Sequence, residues 1–220
     1  MKHVVLFSRG AQSAYVAVLI AKKYKKEDII LLHTPTHSEH PDADRFGKDI
    51  SNFLDISITE TWSVWGDIWE VAQKTKYIPN NRVRPCTQRL KVLPAQKFYK
   101  ELQLRNEKFS VYVGYCPGEE KRVEKFKKAN PDIDVRFPLI EKNISSEQSK
   151  EKIKELGIKL PEAYLYFKHN NCIPCFLGGK KYWKNVLKFF PEAYKKAELL
   201  EKQFGHTILR NLSLEELRKG

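Results

Sequence analysis

The sequence predicts an α/β fold, a doubly wound and mostly parallel sheet that is followed by a helical, cysteine-containing extension. Two observations indicate it. Up to about residue 140, short apolar runs that are typical of buried strands alternate with helical patterns, and the connections between them are short. Beyond Pro138 the alternation stops, and two helical patterns flank an aromatic stretch that carries cysteines. We therefore expect an α/β domain over residues 1–140 and a helical extension over residues 141–220.

Each element is predicted from its own pattern. The first run, residues 3–7, is mostly β-branched or aromatic, which indicates a buried strand. Residues 13–24 repeat apolar side chains at the helical period and end in basic residues, which favours a helix. By the same criteria we expect further strands over 29–33, 55–61, 109–115 and 133–137, and further helices over 42–54, 65–75, 93–104, 119–128, 145–156 and 181–204.

Composition and charge limit the classes of function. Hydrophobic residues make up 41% of the 220 residues, which is enough for a buried core, and apolar runs such as Ala14–Ala21 are too short to span a bilayer. The N-terminal residues lack a secretory pattern, so we expect a cytoplasmic protein with no membrane partner. The formal net charge of +13 favours an anionic partner, a small-molecule nucleotide or a nucleic acid, although a solvated lysine-rich surface explains it equally well. The oligomeric state is left open, with a homo-oligomer as one option.

A short turn follows the first predicted strand. It runs over Ser8–Ser13, has small residues at Ser8, Gly10 and Ser13, and leads into the first predicted helix. Backbone N–H groups at such a turn, together with the N-terminus of the helix, bind anions. Ser13 could also cap the helix. The turn therefore predicts a phosphate-binding loop, with an ordinary strand-to-helix turn as the alternative.

The residues of this turn resemble a known signature. Phe7-Ser8-Arg9-Gly10-Ala11-Gln12-Ser13-Ala14 resembles the Ser-Gly-Gly-x-Asp-Ser motif of the PP-loop superfamily. Three later segments are similar to elements of its phosphoadenosine-phosphosulfate (PAPS) reductase-like family, the last of them a C-terminal Cys-x-x-Cys element: Pro85–Lys91, Gly114–Arg122 and Phe167–Cys175. The resemblance spans nearly the whole chain. It implies an adenine nucleotide α hydrolase-like fold that binds an adenine nucleotide, either ATP or PAPS.

The resemblance also implies which residues hold the nucleotide. They are Ser8, Arg9, Gly10, Gln12 and Ser13 of the turn, His33 and Thr34 at the sheet edge where an adenine usually lies, Arg89, and Gly114. Gln12 replaces the Asp that ATP-cleaving members use, so a nucleotide without a triphosphate, such as PAPS, fits the loop as well. No cysteine follows Cys175. Sulfite transfer onto a C-terminal cysteine, as in authentic PAPS reductases, therefore cannot operate in its usual form.

The four cysteines indicate sulfur or metal chemistry rather than a disulfide framework in a reducing cytosol. Cys172 and Cys175 are spaced to chelate one metal, and His169 and Cys86 would complete four ligands for Zn²⁺ or an iron–sulfur cluster such as [4Fe-4S]. Two buried thiols at a tight turn, or a redox-active pair, are the alternatives. At Cys116 a buried small residue at a strand end is favoured over a low-pKa thiol beside the nucleotide.

A basic loop surrounds Cys86 and could clamp phosphate or sulfate. Its cations are Arg82, Arg84, Arg89 and Lys91. We take Cys86, Lys91 and Arg122 as the catalytic candidates of a PAPS reductase-like oxidoreductase or sulfurtransferase, with sulfur or adenylyl-transfer chemistry. Two alternatives stay open. One is an ATP-dependent enzyme that thiolates tRNA or DNA, and the other is a non-catalytic protein that binds or sequesters a nucleotide.

Overall fold

The computed structural model describes residues 1–80 and 83–220, so Arg82 of the basic loop lies outside the described residues. The strands are Lys2–Leu6 (β1), Ile29–His33 (β2), Ile58–Glu60 (β3), Phe109–Tyr112 (β4) and Asp134–Arg136 (β5). The helices are Ala11–Ala21 (α1), Asp42–Leu54 (α2), Ile68–Thr75 (α3), Pro85–Thr87 (α4), Leu93–Leu104 (α5), Glu120–Ala129 (α6), Pro138–Glu141 (α7), Ser146–Glu155 (α8), Ala163–Tyr166 (α9), Lys180–Phe189 (α10), Pro191–Phe204 (α11) and Leu214–Lys219 (α12). A 3₁₀ turn covers Lys26–Asp28, and a π-helical turn over Gln88–Val92 joins α4 to α5.

The strands form one parallel sheet in the order β3-β2-β1-β4-β5. β1 is central, because Val5 pairs with Leu31 of β2 on one side and with Tyr112 of β4 on the other. The outer pairs, β2 with β3 and β4 with β5, are parallel as well. Parallel neighbours need crossover connections, which helices supply here. The predicted α/β class with a doubly wound, mostly parallel sheet is therefore confirmed.

Two differences between the predicted and observed helices have a clear local cause. The helix expected over 65–75 begins only at Ile68, because the side chain of Asp67 accepts hydrogen bonds from the first-turn N–H groups and caps the helix there. The helix expected over 181–204 is two helices, α10 and α11, and the second begins at Pro191. Proline has no N–H to donate and its ring clashes with the preceding turn, so the chain changes direction at this point.

The first compact unit contains the whole sheet and comprises residues 1–34, 41–61 and 95–161. Apolar residues surround almost the entire circumference of α1, so this helix needs cover on several sides. It packs against β1 and is covered by α7 and α8. Val4 of β1 and Phe137, beside β5, belong to the core of this unit. The connection between β1 and α1 is consequently held between two buried elements.

The second compact unit comprises residues 35–40, 62–94 and 162–220. Its core is centred on Trp183 of α10 and Tyr194 of α11, which are both fully buried. α10, α11 and α12 pack against one another around these rings. In the part of the chain that the structure describes, no helix is long and apolar enough to cross a membrane.

Candidate nucleotide-binding loop and thiol cluster

The connections that leave β1 and β4 lie at a topological switch point of the sheet. β1 continues through α1 to β2 on one side, whereas its neighbour on the other side, β4, continues through α6 to β5. Doubly wound sheets bind their ligands at the carboxyl ends of the strands where the winding reverses in this way. The turn Ser8–Ser13 follows β1, and Gly114 follows β4. The structure therefore brings these two predicted site segments to one edge of the sheet.

Side-chain hydrogen bonds close the turn on itself. The backbone N–H and the Oγ of Ser8 each donate to Ser13 Oγ over 3.2 Å, and Ser13 Oγ donates to the Gly10 carbonyl over 2.9 Å. The residue before the first helical position is Gly10, which supplies no side-chain cap, so the prediction that Ser13 caps the helix is wrong. An anion at this end of α1 would meet the N–H groups of the first turn and the positive end of the helix dipole.

Arg9 stands where the PP-loop signature has a glycine, and its backbone is left-handed, with a φ of 58°. Its Nη2 donates to Glu60 Oε1 over 2.5 Å, and its Nη1 pairs with Asp44. Only 12% of the Arg9 side chain is exposed. The turn thus has a backbone conformation that glycine adopts readily, although an arginine occupies the position. Two carboxylates form ion pairs with that arginine.

Gly114 lies against the first turn of α1. A Cβ atom at Gly114 would be 3.1 Å from the backbone N of Ser13 and 3.2 Å from the carbonyl C of Gln12. Both contacts are backbone atoms at the start of a helix, so they cannot move aside as the end of a flexible side chain can. The close approach of the segment after β4 to the turn therefore favours glycine at this position, because a Cβ there would require the backbone of α1 to move by a few tenths of an ångström.

Cys116 follows Gly114 in the connection after β4, and it is buried. Gln12 Nε2 donates to Cys116 Sγ over 3.4 Å, and the Cys116 N–H donates to Glu119 Oε2 over 2.9 Å. Burial raises the pKa of the Cys116 thiol, so the thiol is protonated at neutral pH. This agrees with Cys116 as a buried small residue and argues against the low-pKa thiol.

Two further predicted residues are held by neighbours within the first unit. The guanidinium carbon of Arg122 lies 4.2 Å from the centre of the Tyr115 ring, and the side chain pairs with a glutamate of the preceding turn. His33, the last residue of β2, is buried, and its Nδ1 donates to the Phe7 carbonyl over 2.9 Å. This hydrogen bond ties the ends of β2 and β1 together. Thr34 follows and is partly buried.

Three cysteines of the second unit share a partly buried environment with Lys91, and we call Cys86, Cys172, Cys175 and Lys91 the thiol cluster. Burial raises the pKa of each of the three thiols. That of Cys172 is raised to about 11, although the ammonium of Lys91 opposes the change. Burial favours the neutral form of Lys91, but the negative charges of Cys172, when that thiol is ionised, and of Glu39 outweigh burial and raise the pKa of Lys91. At neutral pH the cluster therefore combines a cation with protonated thiols.

Glu39 supplies the carboxylate near Lys91, and it is not among the predicted site residues. Its Oε1 accepts a hydrogen bond from the Thr36 N–H over 2.8 Å, and its Oε2 accepts one from the Ser38 N–H over 3.1 Å. Burial opposes ionisation, but the hydrogen bonds from Thr36 outweigh burial and hold the pKa of Glu39 below its ordinary value. The Thr-x-x-Glu spacing, which lets the carboxylate reach back to the N–H three residues earlier, is the signal that could have revealed it.

Tyr182 fastens the turn that carries Cys172 and Cys175. The Cys175 N–H donates to Tyr182 Oη over 2.7 Å, and the Tyr182 hydroxyl donates to the Cys172 carbonyl over 3.0 Å. The Tyr182 ring lies over Gly178, where a Cβ atom would come within 2.1 Å of a ring carbon. No residue pattern indicates this role of Tyr182, because its partners are backbone atoms.

The predicted metal site is not assembled among the described residues. Within that part of the chain, no group of three or more His, Cys, Asp or Glu side chains is arranged to hold a metal ion. His169 is exposed, and Cys172 Sγ lies 3.0 Å from Thr36 Oγ1, within hydrogen-bonding distance. The ligand set predicted from spacing, Cys86 with His169, Cys172 and Cys175, therefore does not fit Zn²⁺ or a [4Fe-4S] cluster in this arrangement.

Arg89 lies in the second unit, over an aromatic ring. Its guanidinium carbon is 4.4 Å from the centre of the Trp65 ring, and its carbonyl accepts a hydrogen bond from Ser63 Oγ over 2.8 Å. Such a cation–π contact holds the guanidinium over the face of the Trp65 ring. Arg89 is thus part of a stacked pair of the second unit, whereas the turn Ser8–Ser13 belongs to the first.

Comparison with known proteins identifies the fold. No family model and no curated protein matches the sequence. Among solved structures, the chain is similar to a phosphoadenylyl-sulfate (PAPS) reductase from Candida auris, with 18% identity and a TM-score of 0.56 over 78% of this chain and 82% of that chain. The chain shares the α/β fold of this reductase. The chain is also similar to the U34-tRNA thiolase NcsA from Methanococcus maripaludis, solved with its [4Fe-4S] cluster, with 14% identity and a TM-score of 0.53 over 96% of this chain and 74% of that chain. At these identities the similarity concerns the fold.

Proposed function

We propose that the chain binds an adenine nucleotide at the turn between β1 and α1, as a PAPS reductase-like protein of sulfur or adenylyl-transfer chemistry. The observation that carries this proposal is the position of the turn at the switch point of the sheet, with Gly114 packed against its first helical residues. The likeness in fold to a PAPS reductase and to a tRNA thiolase supports the same class of ligand.

Backbone groups would supply most of the affinity for phosphate. The first turn of α1 offers N–H donors and the positive end of the helix dipole. The Arg9 side chain is engaged by Glu60 and Asp44, so its charge contributes little to an anion at the turn. Gln12 presents a neutral amide, which is a poorer Mg²⁺ ligand than a carboxylate. These features favour PAPS over a nucleotide whose triphosphate must be cleaved with a metal ion.

The sulfur chemistry is proposed from the thiol cluster. Its three thiols and one ammonium lie together in the second unit, and Cys86 and Lys91 are the catalytic candidates there. Lys91 is charged and could stabilise a sulfonate or a developing thiolate. Arg122 is the third candidate and belongs to the first unit.

Thiolation of tRNA or DNA with ATP is the second candidate function. The group of three thiols favours it, since sulfur carriers of this kind use cysteine, and the likeness in fold to a tRNA thiolase agrees. The amide of Gln12 opposes it, because cleavage of ATP between the α and β phosphates draws on metal-bound pyrophosphate. The two candidates differ in their products, which are AMP and pyrophosphate from ATP but sulfite from PAPS.

Titration calorimetry with PAPS, ATP and AMP, and with GTP as a non-adenine control, tests the proposal. We expect saturable binding of PAPS with a Kd below about 1 mM and weaker binding of GTP. The absence of binding by every adenine compound at millimolar concentration would contradict it. Sulfite release from PAPS is then measured with an added dithiol, which supplies two electrons and becomes a disulfide. Binding without release of sulfite, or of AMP and pyrophosphate, would identify a nucleotide-sequestering protein.

A further inference from the structure

α10 carries four lysines and no acidic residue. Adjacent residues of an α-helix are about 100° apart around its axis, so Lys180, Lys181, Lys184 and Lys188 all fall within an arc of about 100°. We call these four residues the lysine stripe, and all four are exposed. The side of α10 that bears Trp183 is buried in the core of the second unit. The helix therefore presents one uniformly positive face to solvent.

The charge of the lysine stripe is not neutralised within the described residues. Other lysines there form ion pairs, among them Lys2, Lys26, Lys150, Lys152, Lys202 and Lys219. By contrast, α8 contains three lysines and three glutamates, so its charges cancel within the helix. Four unbalanced positive charges along a rise of about 12 Å attract a chain of negative charges.

An exposed aromatic ring lies at the C-terminal end of the lysine stripe. Phe189 is 42% exposed, and Lys188 Nζ lies 5.0 Å from the centre of its ring. Tyr166 supports the ring from within the same unit, with the two ring centres 4.8 Å apart. Exposed rings beside cationic side chains act as stacking platforms for bases. The ring therefore favours single-stranded nucleic acid, whose bases are unpaired, over a duplex or an acidic peptide.

We infer that the lysine stripe and Phe189 bind single-stranded nucleic acid, with the lysines on phosphates and the ring against a base. Phosphates and base rings are common to RNA and DNA, and neither contact involves the 2′ position, so the two kinds of strand should bind with affinities within roughly threefold of each other. This surface does not depend on the nucleotide proposed for the first unit. It stands whether or not the chain binds an adenine nucleotide, and it is measured without one.

Fluorescence anisotropy of labelled strands about 12 nucleotides long, between about 50 and 200 mM salt, tests the inference. The full chain is compared with the triple variant K181Q/K184Q/K188Q and with a matched control on α8, K150Q/K152Q/K154Q, which removes the same charge. We expect the stripe variant to bind at least about tenfold more weakly and to lower the slope of log affinity against log salt by about 2. The α8 variant should bind within about twofold of the unmodified protein.

A second variant separates stacking from charge. Phe189→Leu keeps an apolar side chain but removes the ring, so we expect binding about fivefold weaker with an unchanged salt slope. Circular dichroism of each variant checks that it is folded. Three results would overturn the inference: no binding by the unmodified chain, equal losses in the α10 and α8 variants, or polyglutamate or duplex competing as well as the single strand.

Discussion

Arg9 Nη2 donates a hydrogen bond of 2.5 Å to Glu60 Oε1, and this ion pair joins the turn after β1 to the end of β3. The pair explains how the turn accommodates an arginine at a glycine position. A left-handed φ costs a non-glycine residue about 1–2 kcal/mol, because its Cβ crowds the following carbonyl. Two carboxylates, on β3 and α2, engage the guanidinium and offset that cost.

Replacing Arg9 tests this explanation. Arg9→Gly and Arg9→Ala both remove the ion pairs, but only glycine relieves the strain at a φ of 58°. We expect the glycine variant to have a free energy of unfolding about 1 kcal/mol higher than the alanine variant, measured by urea denaturation. Lys22 is the control position, because its φ of −73° suits alanine. There we expect Lys22→Gly to be less stable than Lys22→Ala. Equal stability of the two Arg9 variants would rule out strain at the turn.

Gly114→Ala tests the nucleotide site itself. The added Cβ would lie 3.1 Å from the backbone N of Ser13, so the first turn of α1 must shift away from the position that the proposal gives to phosphate. We expect the affinity for PAPS to fall by about tenfold or more, which corresponds to about 1.4 kcal/mol, as measured by calorimetry. Gly179→Ala is the matched control, because a Cβ there meets no atom within 4 Å. Unchanged affinity in the Gly114 variant would exclude this turn as the binding site.

The strand pattern of the first unit could be predicted because burial on both faces leaves a direct signature. Residues 29–33 form an uninterrupted apolar run that ends in histidine, and the predicted and observed bounds of β2 coincide. The turn after β1 could likewise be predicted from small residues at a strand-to-helix junction. The ion pair between Arg9 of this turn and Glu60 could not be predicted, because the two residues are far apart in sequence and no periodic pattern connects them.

The surroundings of the thiol cluster were beyond prediction for the same reason. Glu39 forms an isolated antiparallel bridge with Cys172, and the Ile173 N–H donates to the Ser38 carbonyl over 2.7 Å. A pairing of two irregular segments depends on backbone geometry and not on residue type. Spacing alone indicated that Cys172 and Cys175 lie together, but it also suggested His169 as a fourth ligand, and that side chain is exposed.

His3 makes the stability of the first unit dependent on pH. Burial lowers the pKa of His3 below its ordinary value of 6.5; Asp28 opposes this change, whereas the N-terminal ammonium and Lys23 add to it. A lowered pKa in the folded state means that the unfolded chain binds the proton more tightly. The contribution to stability is therefore complete above about pH 6.5 and is lost as the pH falls through the lowered value. We expect the free energy of unfolding to decrease between about pH 7 and pH 5.

Urea denaturation of His3→Gln at both pH values measures this contribution. The variant should show a smaller decrease than the unmodified protein, because glutamine does not titrate and can still hydrogen-bond to Tyr112 Oη, which lies 3.0 Å from His3 Nδ1. An identical decrease in the His3 variant and the unmodified protein would mean that His3 does not titrate as described.

Tyr182→Phe tests whether the tyrosine hydroxyl holds the thiol cluster closed. The variant loses hydrogen bonds to the Cys175 N–H and the Cys172 carbonyl, and leaving such groups unpaired costs about 1–3 kcal/mol. Burial raises the pKa of Cys172 to about 11, so alkylation of the folded protein at pH 8 is slow. Opening of the turn exposes these thiols, and we expect mass spectrometry after iodoacetamide treatment to show their alkylation accelerated by about tenfold.

Tyr194→Phe distinguishes local opening from general loss of stability. Its hydroxyl donates to the Leu214 carbonyl over 2.6 Å in the same unit, so its removal should destabilise that unit by a similar amount without touching the Cys172 turn. We expect this variant to leave the alkylation rates of Cys172 and Cys175 close to those of the unmodified protein. If it accelerated them as much as Tyr182→Phe does, the thiols would be reached by unfolding of the whole unit. The Tyr182 hydroxyl would then have no specific part in closing the cluster.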